Sequence, residues 1–417
     1  MSTNKAIKRA RRKEWIVFIY VLLVLFCFYP YEFNSVYLQF LPRKSYFTAF
    51  AIFIPTILLA TMGGSKTNGN KYLLPFALTQ MAGFALVYVA QGNILNMFST
   101  GIYIALAYAL VIFVDKRGGL ISFIKKYNVW ILIMAILGSI AFVLVTFFGL
   151  SPISIAEDRG DEREIFNYGL TFSKTIQYGF QTIRYSGFFD EPGAMGYWGM
   201  FALLFNKAFI KNPKMEWMLI VFVSLTFSMG FYLQLIIYLL VFNINTKNLG
   251  WTFAIIGVVA IGIAILYSTK GTDNDWFYET TIGRVETIID AADEAGSALE
   301  TDNRAEMTEL AKREFHQNPL FGSSTSEYIL DNIYEPLARY GIVGSAFILF
   351  PFISLLFGAL RRKDYDVFKV MLVLCASFVH RPFHNFILYY FMLYCLIVMS
   401  KERWAEMSIQ RRLNRES

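Results

Sequence analysis

An arginine, two adjacent carboxylates and a Pro-Gly turn crowd into one short stretch, Arg184-Tyr-Ser-Gly-Phe-Phe-Asp-Glu-Pro-Gly-Ala-Met-Gly-Tyr-Trp198. The stretch ends a polar loop and runs directly into an apolar helix, so its charged groups are expected where water meets lipid. Ionisable groups there are expensive unless they serve something. The arginine fork is always charged and matches phosphate oxygens two at a time. A carboxylate held near lipid gains basicity, which suits a general base. The plainer reading is a helix start: acids in a first turn suit the macrodipole, and Pro192 at N1 wastes no donor.

Composition says what must hold such a stretch. The chain has 417 residues, 56% of them hydrophobic and 18% aromatic. That is a polytopic membrane protein and not a soluble domain. Apolar runs fall at roughly 15–30, 45–62, 72–91, 94–114, 128–150, 191–210, 216–245, 249–268, 338–360 and 367–400. Most approach the ~20 residues that cross a ~30 Å hydrocarbon core. The first run follows a basic tail and lacks a small-residue cleavage site, so it reads as a retained anchor. Cys27, Cys375 and Cys395 all lie within apolar runs, with neither a disulfide framework nor metal-ligand spacing. No internal repeat, low-complexity segment or linker divides the chain. The net charge of +7 does not point to nucleic acid, because the charges are segregated along the chain.

Two of the runs exceed one ordinary span. The run 216–245 contains Thr226-Phe-Ser-Met-Gly230, and 367–400 contains His380-Arg-Pro-Phe-His384. As single spans they give ten crossings and put residues 269–337 in the cytoplasm. Split into helical hairpins they give twelve, with both termini inside. The inner segments then hold 25 cations against 8 acids, and the outer loops, roughly 151–191 and 269–337, hold 22 of the 31 acids. The positive-inside rule selects twelve crossings. Halves of about 15 residues are short for a full crossing, so thinning, tilt or re-entrant geometry is expected there. The C-terminal tail from Lys401 to Arg415, with Trp404 and Leu413, is expected on the inner surface against anionic lipid. The chain reads as one all-α polytopic transmembrane domain over 1–417, with outer loops at 151–190 and 269–337.

The second loop opens polar and acidic at Lys270-Gly-Thr-Asp-Asn-Asp275 and turns helical at Asn303-Arg-Ala-Glu306, which has capping-box form. Met307, Leu310, Ala311 and Phe315 recur at helical spacing, giving an amphipathic helix over about 303–317. Asn318-Pro319 ends it and Gly322 opens a turn. Arg304 in the first turn joins the helix amides in a concentration of donors suited to phosphate. His380-Arg-Pro-Phe-His384 forms the outer apex of the last hairpin. Read plainly it is an interfacial turn; read functionally it offers a further cation, Arg381, and a sugar partner, His384. Asp273 and Asp275 read as a solvated turn, and three dispersed histidines make no metal site.

The pattern Arg-x-x-Gly-x-Phe-x-Glu-Pro over 184–192 resembles the signature of Wzy-type polysaccharide polymerases, the O-antigen and exopolysaccharide polymerases related to O-antigen ligases. The order Arg304…Phe315…Pro319-Leu-Phe-Gly322…Asp331-Asn332…Gly341-Ile-Val-Gly344 is similar to that family's Arg, aromatic-Pro-x-x-Gly turn, His-Asn pair and Gly-x-x-Gly. Asp331-Asn332 stands where ligases usually show His-Asn, which favours a polymerase. Thr226-Phe-Ser-Met-Gly230 looks like the family's Ser-x-Gly helical break, without the arginine many members carry there. The resemblance covers roughly residues 180–345.

The resemblance implies a GT-C-like fold and a metal-independent, cofactor-free glycosyltransferase of the bacterial inner membrane, its active site facing the periplasm. Its substrate would be an undecaprenyl-pyrophosphate-linked oligosaccharide repeat unit. Its partners would be membrane lipid, a chain-length regulator and a flippase, with no nucleic acid. Pyrophosphate leaves without a general acid, but the charge growing on it needs stabilising, and the acceptor hydroxyl needs a base. On that reading Glu191 is the candidate base and Asp190 the runner-up. Arg184 and Arg304 are the pyrophosphate clamps, Arg284 and Arg381 further cations, and His384 and Asn332 sugar contacts. Two alternatives stay open: a ligase moving finished glycan onto lipid A core, and a lipid-linked oligosaccharide flippase or other transporter. A flippase needs charged residues along a path through the bundle, and the inferred spans carry few beyond Arg339 and Arg381.

Overall fold

The computed structural model describes residues 2–28, 31, 36, 46–61, 68–157, 164–173, 183–243, 267–268, 270–271, 278, 303–323, 334–380 and 386–416. Among these the chain is predominantly helical. Its helices are α1 (Ser2–Phe26), α2 (Tyr46–Thr61), α3 (Gly69–Ala90), α4 (Ile94–Arg117), α5 (Leu120–Phe148), α6 (Pro192–Phe205, continued by a π-turn Asn206–Ile210), α7 (Pro213–Ser224), α8 (Met229–Asn243), α9 (Asn303–Gln317), α10 (Glu335–Arg362), α11 (Tyr365–His380) and α12 (Ile387–Glu416). Among the described residues, α3, α4, α5 and α10 are long and apolar enough to cross a membrane. The protein is an all-α multi-pass membrane protein in its architecture. The run 216–245 is two helices, α7 and α8, separated at residues 225–228.

The first half of α12, residues 387–400, is buried on every side, which marks it as the central helix of the bundle. Its Tyr394 hydroxyl donates to Gln80 Oε1 of α3 at 2.6 Å. Phe391 meets Phe123 of α5 edge-on, and Tyr389 stacks on Phe352 of α10. The second half of α12 runs on without a break to Glu416. The tail therefore continues the direction of its span instead of turning along a surface. Trp404 and Arg411 fix it there: Trp404 Nε1 donates to Asp364 Oδ2, and Arg411 Nη2 donates to the Arg362 carbonyl, both at 2.9 Å.

One end of the bundle collects basic side chains as caps and ties for helix ends. Lys116 and Arg117, closing α4, donate to the Ala60 and Leu59 carbonyls that end α2. Cations there meet carbonyls that have lost their helical partners. Lys126 pairs with Glu14 at 2.9 Å, and hydrogen bonds from Ser122 and Lys126 hold the Glu14 carboxyl below its ordinary value. Arg403 of α12 bridges Asp364 and Asp366 at the start of α11 and donates to the Ala208 carbonyl of the π-turn at 2.8 Å. Burial alone would raise Asp366, but hydrogen bonds and charge from Arg403 and Lys211 hold it below its ordinary value.

The opposite end carries the loops. A small antiparallel sheet, absent from the all-helical reading, joins β1 (Ser154–Glu157), β2 (Glu164–Asn167) and β3 (Phe172–Ser173) in that order. Gly169, with φ +75°, makes the tight β2–β3 turn closed by Tyr168 N–H on the Thr171 carbonyl. Nearby, α10 is kinked at Gly341 (φ 63°, ψ −169°). The amides freed by the kink are met by the turn after α9: Ile342 donates to the Pro319 carbonyl and Val343 to that of Leu320. A side chain at Gly341 would collide with Leu320, and one at Gly322 with the Arg339–Tyr340 backbone. Gln91 Nε2 locks the pair by donating to the Phe321 and Arg339 carbonyls at 2.6 and 2.7 Å. Ala311 of α9 packs on Ala338 of α10, with Leu310 and Tyr334 around them.

Candidate functional site

The Arg184–Glu191 segment runs into the interior of the bundle. Its first residues pair with the sheet: Ser186 N–H donates to the Phe172 carbonyl, and Phe172 N–H to that of Gly187. Tyr185 then lies over Gly138 of α5, where any side chain would strike its ring, and Gly187 abuts Met134. Met134 is the middle residue of the 29-residue α5, a helix of ~43 Å at 1.5 Å per residue. Phe188 packs on Trp130 and Phe26, nearer the basic end, and Phe189 stacks on Tyr31 at 4.5 Å. The segment that leads into Asp190 and Glu191 therefore passes the middle of α5. The apolar pair Phe188-Phe189 draws the chain inward, Phe188 between Phe26 of α1 and Trp130 of α5 and Phe189 against Tyr31.

Glu191 takes the N-cap position of α6 in extended conformation (φ −155°, ψ 165°), with Pro192 next, and its carbonyl accepts from Ala194 and Met195 N–H. Its side chain makes no capping bond to the helix's own amides. Asp190 beside it is 4% exposed, while Glu191 is half-buried.

The break between α7 and α8 reaches the same place from the other side. Phe227 there has φ +51°, a left-handed conformation that costs a side-chain-bearing residue about 1–2 kcal/mol. Arg184 Nη2 donates to the Phe227 carbonyl at 2.7 Å. Tyr185 Oη donates to the Phe222 carbonyl and meets Ser139 Oγ, and Tyr232 Oη donates to the Ser224 carbonyl at 2.7 Å. Ser228 Oγ accepts from Phe231 N–H and so caps α8. Phe142 of α5 lies 5.5 Å from the Phe227 ring, so the α7–α8 hairpin turns back before the end of α5. Gly196, one turn into α6, packs on Ser228 and Phe231, and Gly199 packs on Val223.

Two helix N-termini, those of α6 and α8, thus converge inside the bundle beside one guanidinium and two carboxylates. Each N-terminus carries about half a positive charge. Such a place favours a multiply charged anion, and discontinuous helices of this kind are tolerated at membrane depth where they line a site. Among the described residues no three His, Cys, Asp or Glu side chains gather as a metal site.

Of the residues expected to act, Arg184, Asp190 and Glu191 belong to this one site. Arg304 opens α9, but its side chain lies outside the described residues, as do Arg284, Asn332, Arg381 and His384. Tyr185, Phe227, Ser228 and Tyr232 were not singled out as site residues. The Ser-x-Gly pattern at 228–230 was the available signal. The break lacks an arginine of its own in the sequence, and Arg184 supplies one across 43 residues of chain. Compared with known proteins, the chain matches no protein-family model and no curated sequence.

Proposed function

We propose that this protein is a Wzy-type polymerase that joins undecaprenyl-pyrophosphate-linked oligosaccharide repeat units into a surface polysaccharide. The observation that carries the reading is the meeting of two helix N-termini, Arg184 and the Asp190–Glu191 pair within the bundle. Pyrophosphate is an anion that an arginine and two helix N-termini suit, and a carboxylate beside it is what an acceptor hydroxyl requires. Arg184 and the helix ends hold the pyrophosphate. Glu191 takes the proton of the acceptor hydroxyl as that oxygen bonds to the anomeric carbon. The bond from that carbon to the pyrophosphate oxygen breaks, and undecaprenyl pyrophosphate departs with the electron pair. Asp190 neighbours the base and supports it.

The reading includes twelve crossings of the bacterial inner membrane, a GT-C-like fold, the basic end in the cytoplasm and the loop end in the periplasm. A second reading, a flippase for the same lipid-linked units, is favoured by a row of buried polar groups along α12. Tyr390 lies 6.2 Å from Tyr394, which bonds Gln80, and the Tyr389 and Tyr390 hydroxyls and Gln80 Nε2 are buried with no hydrogen-bond partner.

One reconstitution separates the two readings. The purified chain in proteoliposomes, with undecaprenyl-pyrophosphate-linked repeat units as sole substrate, should yield a ladder of polymer. Glu191→Gln should cut chain growth by roughly 10²–10⁴-fold, the usual share of a general base, with donor binding kept. Translocation without growth would replace the polymerase by the flippase. Full-length polymer from Glu191→Gln would transfer the base role to Asp190, tested by Asp190→Asn in parallel.

A further inference from the structure

A cleft opens at the loop end of the bundle, where α3 and α9 both finish. Its volume is about 490 Å³, within the range of ~300–1,000 Å³ typical of small-molecule sites. Its wall is the turn pinned against Gly341, so its shape is set by backbone hydrogen bonds and not by mobile side chains. Among the described residues no charged side chain lines it; the polar lining is amide and hydroxyl, from Gln91, Gln317, Asn318 and Ser323. Gln91 commits its Nε2 to two carbonyls, and its Oε1 stays buried with no hydrogen-bond partner. Two helix C-termini add partial negative charge. The cleft therefore offers uncharged amide and hydroxyl groups that both donate and accept, and no cation for a phosphate. Leu320, 58% exposed, and Phe321 supply an apolar patch beside these groups.

A ligand with many hydroxyl donors, no net charge and one apolar face meets all of these features. We propose that this cleft binds the neutral sugar rings of a glycan chain, through hydrogen bonds to Gln317 and Asn318 and C–H contact with Leu320. The choice of a glycan among hydroxyl-rich ligands rests on the polymerase reading above. It places glycan recognition at the ends of α3 and α9, separate from the proposed pyrophosphate site on α6 and α8.

The test uses the full chain in nanodiscs and two probes: the free repeat-unit oligosaccharide released by mild acid from the lipid-linked pool, and a malto-oligosaccharide series. Saturation-transfer NMR should show sugar protons receiving signal from the protein. The double substitution Gln317→Ala with Asn318→Ala should weaken binding about tenfold, the effect of leaving sugar hydroxyls without partners. Both residues are exposed, so an unchanged melting temperature is expected to accompany the loss. Leu320→Ala gives a second variant that removes the C–H contact alone and should weaken binding less. No transfer to either probe, or equal binding by the wild type and the double variant, overturns the proposal. Turnover of lipid-linked units is followed in the same samples. Binding without turnover keeps the glycan cleft and removes the polymerase; turnover without binding does the opposite.

Discussion

Arg184 has two tasks that pull in different directions. It holds the carbonyl of a strained Phe227, and in the proposed reaction it also steadies the departing pyrophosphate. Arg184→Ala should lower polymerisation about 10²–10³-fold, the loss typical of one transition-state donor. It should also lower stability, because a hydrogen bond to a charged group is worth about 1.5–3 kcal/mol. Lys at this position restores a charge but not the fork, so it should recover little chain growth. The gel ladder of chain lengths and a thermal melt in detergent separate the two tasks. If Lys returns full chain length, bidentate pyrophosphate binding is not what Arg184 does. The same residue shows why the site was partly hidden in sequence: its partner carbonyl lies 43 residues away, and backbone carbonyls leave no mark on residue identity.

At the scale of elements, the kink of α10 and the turn after α9 form one interlocked unit. Gly341 and Gly92 both have positive φ, yet only Gly341 faces backbone at contact distance; Gly92 has nothing within 4 Å. Gly341→Ala should therefore cost the backbone strain plus an overpacking term of about 1–3 kcal/mol, while Gly92→Ala carries strain alone. A drop in melting temperature several degrees larger for Gly341→Ala is the expected result, and equal drops would dissolve the interlock. The glycine pattern Gly341-Ile-Val-Gly344 was plain in the sequence, as was the turn at Asn318-Pro319. That each exists to fit the other was not, because close approach of two backbones is a property of packing.

For the whole molecule, the segregation of charge is the strongest regularity. The structure brings Lys116, Arg117, Lys126, Lys211 and Arg403 to one end of the bundle, against helix termini and acids. Lining of the opposite end by the sheet and the α9 turn fits a loop-bearing outer side. In a background lacking Cys27, Cys375 and Cys395, a cysteine at Ser323 should label with a membrane-impermeant thiol reagent in intact spheroplasts. A cysteine at Ser408 should label only after lysis. The reverse pattern would put the carboxylate pair and its arginine on a path open to the wrong compartment.

By itself the sequence determined that the chain is a helical membrane protein, where its two long apolar runs divide, and which face is basic. Those properties follow from local hydropathy, helix-breaking residues and charge counts, each readable over a few neighbouring positions. It also placed Arg184, Asp190 and Glu191 on one short segment. Only the tertiary structure decided how far the segment enters the bundle, since Phe188 packing between α1 and α5, and Phe189 on Tyr31, set it. Only the structure set the N-terminus of α8 beside that of α6, through Gly196 against Ser228. Small residues permit close helix approach but do not name the helix that approaches, and the choice is made by the shape of the whole bundle.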